Sequence, residues 1–189
     1  MSRLIFDVSL LAMLFPVLAY PAILFARAAL LPRPVQKRDC QDLPEVDLVI
    51  CAHNEQDCIR KKLENLLALD YPCDRMTLWL ASDGSSDRTV EYARAFEGSR
   101  VRVLDLQRVG KAEALRIAVD QGTADIVAFS DANSDWEPGA LRELVAPFAD
   151  PQIGGVAGNQ RYYGPDDSDG TAGEKSYWRY DSRLKHWQS

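Results

Sequence analysis

The chain has 189 residues, enough for one substantial domain with a proper core. Its content of 47% hydrophobic and 26% charged residues is that of a globular protein and excludes a disordered one. A formal net charge of -6 and a pI near 5.0 argue against a general nucleic-acid binder, which needs a basic face.

In chain order, the first segment stands apart. From Val8 to Ala26, "VSLLAMLFPVLAYPAILFA" carries no charged side chain. As a helix it reaches about 28 Å, roughly the hydrocarbon thickness of a bilayer. Pro16 and Pro21 predict a kink, which membrane helices tolerate. A cleaved signal peptide is the competing reading, because "ARA" at 26–28 resembles a small-x-small cleavage site. The anchor is favoured: the apolar run exceeds a usual signal core, and Arg27, Arg33, Lys37 and Arg38 follow it against Arg3 before it. The positive-inside rule then puts the downstream part in the cytoplasm. The expected organisation is an anchor over 1–30, a Pro-rich charged linker over 31–45, and an α/β domain over 46–189.

Beyond the linker, strands alternate with helices. Strands are predicted over 46–52, 76–82, 101–106 and 125–130, with helices over 55–70, 87–97, 111–121 and 138–149. Pro138 suits a first-turn position in the last of these. A fifth strand is expected over 153–163, and a further helix from Glu174. Such β-α units imply a mostly parallel sheet covered on both faces. The cysteines Cys40, Cys51, Cys58 and Cys73 form no CxxC pair or zinc-like spacing, so they read as reduced packing residues.

Ligands collect at the carboxyl ends of the strands in such sheets. There the chain places "AHNE", "SDGSSD", "RVGK" and "SDANSD". No GxGxxG follows the first strand, which argues against NAD or FAD, and no GxxxxGK[ST] loop occurs. In "SDGSSD", Ser85, Ser86 or Asp87 can cap the next helix while Gly84 allows the turn. Asp83 is left over; a carboxylate at a strand tip can accept the N3–H of a uracil ring. Lys111 opens a helix, where a cation is disfavoured unless an anion such as a nucleotide phosphate lies nearby. Asp131 and Asn133, at i and i+2, point to one side of an extended chain and offer two oxygens to a hard cation. An Asx-type turn satisfied by its own backbone is the plainer alternative.

Together, "VDLVICAHNE", "LWLASDGSSDRT", "GKAEAL" and "FSDANSDWEPGAL" resemble a family 2 glycosyltransferase of the GT-A fold, closest to its membrane-bound polysaccharide-making branch. The resemblance runs over about residues 44 to 188. It implies a Rossmann-like, mostly parallel sheet, a nucleotide-sugar donor (usually a UDP-sugar), Mn2+ or Mg2+, and inversion at the anomeric carbon. It also implies a glycan or lipid-linked acceptor, residence in the inner (plasma) membrane, and no nucleic-acid partner. Carried onto this chain, Ala52, His53 and Glu55 line the nucleoside pocket. Asp83 contacts the base, Lys111 lies near the nucleotide, and Asp131 and Asn133 hold the metal. Asn133 departs from the usual second aspartate; an amide oxygen still ligates but brings no charge.

The family's catalytic base, an aspartate in an "ED" motif, and its QxxRW motif have no match before Ser189, so the chain reads as a C-terminally truncated donor-binding portion. Asp166, Asp167 and Asp169 sit in a Gly- and Pro-flanked stretch that reads as solvated loop. Trp178, Tyr180 and Trp187 have a spacing that suits core packing as well as an acceptor path. The alternative function is an inactive nucleotide-binding or scaffold protein that lacks the base.

Overall fold

A computed structural model describes residues 2–31 and 43–159, which form two units considered separately. The expected fifth strand over 160–163, the helix from Glu174, the loop aspartates and the C-terminal aromatics lie outside those residues, as does most of the linker.

The first unit is helical. Helix α1 (Ser2–Leu14) continues through a widened π-turn over Phe15–Ala19 into α2 (Tyr20–Leu30). The cause is local: Pro21 has no N–H to give, and its ring would clash with the Val17 carbonyl of a regular turn. The backbone opens instead, and the Tyr20 N–H bonds to the Phe15 carbonyl, five residues back. Among the described residues, Arg3–Leu30 is the one helix long and apolar enough to cross a membrane.

The second unit is a four-stranded parallel sheet in the order β3-β2-β1-β4. Its strands are β1 (Val46–Ala52), β2 (Met76–Asp83), β3 (Val101–Leu106) and β4 (Ile126–Asp131). Strand β1 is central and its residues are buried but for half-buried Cys51, as a strand covered on both faces requires. Its even positions face one layer, where Val46, Leu48, Ile50 and Ala52 pack with Ile59, Leu63, Leu66, Ala93 and Leu141. Those partners belong to α3 (Ile59–Leu67), α4 (Thr89–Arg94) and α6 (Ala140–Val145). On the opposite face, Val49 and Ala81 meet Ala114 and Ala118 of α5 (Lys111–Gln121), whose small side chains allow close approach to the sheet.

Helix α3 starts four residues later than expected. Its buried positions 59, 62, 63 and 66 follow the helical period, but Asn54 adopts φ 56 and Glu55–Cys58 form a turn. Helices α4 and α6 are also shorter, and a 3-10 turn over Ala146–Ala149 completes the segment after α6. Pro138 precedes α6 rather than opening it; its carbonyl accepts the Asp70 N–H at 2.8 Å. Residues 153–159 carry no strand, in contrast to the prediction: Gly154, Gly155 and Gly158 offer little side chain to pack, and Val156 is exposed. Cys51, Cys58 and Cys73 are free thiols; Cys51 and Cys58 are half-buried, whereas Cys73 is exposed and does not pack in the core.

Candidate functional site

Strands β1, β2 and β3 run outward in sequence order, whereas β4 returns to the other side of β1. That reversal opens a crevice at the carboxyl ends of β1 and β4. A cavity of about 480 Å3 lies there, and His53, Glu55, Asp83, Lys111, Asp131 and Asn133 all line it. The geometry thus brings together six residues singled out from four separate strand ends. Ala52 is the exception: strand alternation puts its methyl in the α3 layer of the core, and Cys51 lines the cavity in its place.

Each strand-end loop is tied to a neighbour. The turn after β1 is laced to the turn after β2: Asn54 Oδ1 accepts the Ser86 N–H at 2.8 Å, and the Glu55 N–H donates to Thr89 Oγ1 at 2.8 Å. Of the three capping candidates, Asp87 does the work; its Oδ1 accepts the Thr89 N–H at 2.9 Å. Gly84 sits at φ +64, and a Cβ there would stand 2.8 Å from the Arg108 backbone nitrogen. Both facts require glycine.

Asp83 is 4% exposed, and its Oδ1 accepts the N–H groups of Val109 and Gly110 at 2.7 and 2.9 Å. The carboxylate left unexplained by sequence therefore pins the loop between β3 and α5. Burial pushes its carboxyl up, but those two N–H groups and the Arg108 charge outweigh it and hold it below 3.8. The Asp83 carbonyl accepts from His53 Nδ1 at 2.8 Å, which assigns the ring proton to Nδ1. His53 Nε2 is then the acceptor for Arg108. Arg108 is a cavity residue the sequence reasoning passed over, although it stands three residues before Lys111 in the same loop.

Lys111, at the start of α5, bonds Asp131 Oδ1 at 2.7 Å. The anion expected near this cation is the chain's own carboxylate, and that bond holds the Lys111 ammonium above its usual value. Glu55 accepts the Cys58 Sγ–H at 3.1 Å; burial and this carboxylate push the thiol up to about 11.

The alternation in "SDANSDW" resolves into two sides. Ala132 is buried, and Ser134 and Trp136 are half-buried, whereas Asp131, Asn133 and Asp135 are exposed. Asp135 is engaged by Lys61 at 2.5 Å. Asp131 and Asn133 share the cavity rim and offer hard oxygen donors of the kind Mg2+ and Mn2+ accept. Among the described residues, no cluster of three His, Cys, Asp or Glu forms a preformed metal cage. A two-donor site fits a cation that takes its remaining ligands from a bound diphosphate and water.

The model of Glycosyl transferase family 2 matches residues 47–188. A beta-monoglucosyldiacylglycerol synthase from Synechocystis is 33% identical over 118 residues, covering 60% of this chain and 25% of that protein. A probable glycosyltransferase from Bacillus subtilis is 30% identical over 135 residues, covering 68% of this chain and 32% of the relative. Among solved structures, a mannosyltransferase from Pyrobaculum calidifontis in complex with GDP-Man and Mn2+ aligns with a TM-score of 0.63 at 27% identity. That alignment covers 75% of this chain and 44% of the mannosyltransferase. The chain spans about a quarter to a third of the length of the two sequence relatives.

Proposed function

The chain belongs to glycosyl transferase family 2 and has a GT-A-like fold, and from that premise we propose that it binds a nucleotide-sugar donor, a UDP-sugar, in the crevice between β1 and β4. The sugar passes with inversion to a saccharide or lipid-linked acceptor in cell-envelope glycan or glycolipid synthesis. One observation carries this reading: side chains from four strand ends converge on a single cavity at the point where the strand order reverses.

Asp131 and Asn133 would hold Mn2+ or Mg2+, which when bound neutralises charge on the departing diphosphate. Lys111 and Arg108 supply further positive charge on the same rim. The turn carrying His53 and Glu55 shapes the nucleoside side. Inversion also needs a base within hydrogen-bond reach of the acceptor hydroxyl. Among the described cavity carboxylates, Asp83 is bound to two backbone N–H groups, Asp131 to Lys111, and Glu55 to Cys58. The base is accordingly assigned to none of these three. The N-terminal helix serves as a single-pass anchor in the inner (plasma) membrane, with the α/β unit cytoplasmic.

Calorimetric titration of the full chain in detergent with UDP, with and without Mn2+, tests the reading. Metal-dependent binding that Asp131→Ala weakens about tenfold or more is expected, in keeping with the loss of a charged ligand. Binding of GDP in preference to UDP would move the donor class. No binding of either by a folded chain would favour the scaffold reading.

A further inference from the structure

Among the described residues Lys62 is the largest fully buried side chain, 1% exposed, and it shares the buried face of α3 with Ile59, Leu63 and Leu66. Removing an ammonium from water is costly, and a methionine of similar volume would fill the space without that cost. What the ammonium adds is its bonds. Nζ donates to the Ser134 carbonyl at 2.5 Å and to Ser134 Oγ at 3.2 Å. The Ser134 hydroxyl in turn donates to the Asp131 carbonyl at 3.0 Å. One turn along α3, Asn65 grips the same loop at its other end: Trp136 N–H donates to Oδ1 and Nδ2 donates to the Trp136 carbonyl, both at 2.9 Å.

Resting on the metal-and-donor reading of the cavity, we propose that Lys62 and Asn65 are positioning residues: they clasp the inward side of the loop 131–136 and thereby hold Asp131 and Asn133 outward as a pair. Neither touches donor or metal. The clasp works because the loop alternates, so fixing Ser134 and Trp136 fixes the direction of the residues between and before them. Without it the loop keeps the Ala132 contact with the core and the Lys61–Asp135 ion pair, but loses the bonds to its inward side chains and backbone.

The test is Mn2+ retention by the full chain in detergent with UDP present, and again with GDP, followed by the Mn2+ electron spin resonance signal. Lys62→Met and Asn65→Ala are expected to weaken retention by about tenfold or more, as loss of outer-shell support does at metal sites. Leu66→Ala, a buried apolar residue of the same helix whose side chain makes no hydrogen bond to the loop, is the control; it is expected to lower the thermal transition while Mn2+ affinity stays within about twofold. If Leu66→Ala weakens Mn2+ as much, the effect is one of general stability and the clasp is overturned. If Lys62→Met does not fold, Asn65→Ala alone decides. If wild type retains Mn2+ and both clasp variants match it, the clasp falls and the site reading stands. If wild type itself retains none, the site reading fails and takes the clasp with it.

Discussion

At the scale of single residues, the acidic groups of the crevice differ both in setting, Asp83 buried and Asp131 exposed, and in the work they do. Asp131 answers a cation, whereas Asp83 answers two backbone N–H groups. For Asp83 the consequence is a pH dependence with a definite sign. Its folded-state value lies below 3.8, so the stability it contributes is fully present above that value and lost as pH falls through the folded one. Asp83→Asn keeps an acceptor oxygen but carries no charge at any pH. The variant is expected to be less stable than wild type at about pH 6, and the gap to narrow as pH falls below the ordinary carboxylate range, read from urea unfolding midpoints. A gap that stays constant across that range would mean the carboxylate's charge is irrelevant to the loop.

At the scale of elements, the parallel sheet and its helices were legible because β1 is a largely apolar run, β3 sets apolar residues between charged ones, and α3 repeats with helical period. What stayed hidden is what ties elements together. Asp47 is a charged residue within β1, yet it is 4% exposed and accepts from Trp79 Nε1 and from the N–H groups of Thr123 and Ala124, each at 2.8 Å. Those donors lie far away in sequence, and no local pattern announces them. Lys62 was illegible for the same reason: its partner, Ser134, sits across the fold. Helix ends were misplaced where a side chain or an unusual φ stopped the helix, as at Asn54 and Asp87. Six of the expected residues line one cavity because strand-end loops, each consecutive in sequence, meet at the same sheet edge; Arg108 was missed because its contact to His53 is not local. Asp47→Ala strands three donors at the bottom of β1 and is expected to cost about 3 kcal/mol, checked by denaturant unfolding, with Asp47→Asn recovering part.

At the scale of the whole molecule, the N-terminal helix is the feature with the most direct consequence for fractionation. Leu11 and Val17 lie within Arg3–Leu30, and both are exposed. Replacing both with lysine adds about 2.5–3.5 kcal/mol each to insertion at the centre of a span. The double variant is therefore expected to leave the carbonate-resistant membrane fraction, where wild type stays; retention of both would sink the anchor. The order β3-β2-β1-β4 carries a different consequence, one of timing. Residues Asp83 and Lys111 reach the cavity from the β2 and β3 side of β1, and Asp131 and Asn133 from the β4 side. Strand β4 must cross most of the domain's sequence to meet β1, the kind of non-local pairing that forms slowly. The cavity is complete only once β4 has docked on β1, so any ligand that needs both sides of it stabilises the finished fold over states in which β4 is undocked. A bound donor would thus report the docking of β4 on β1.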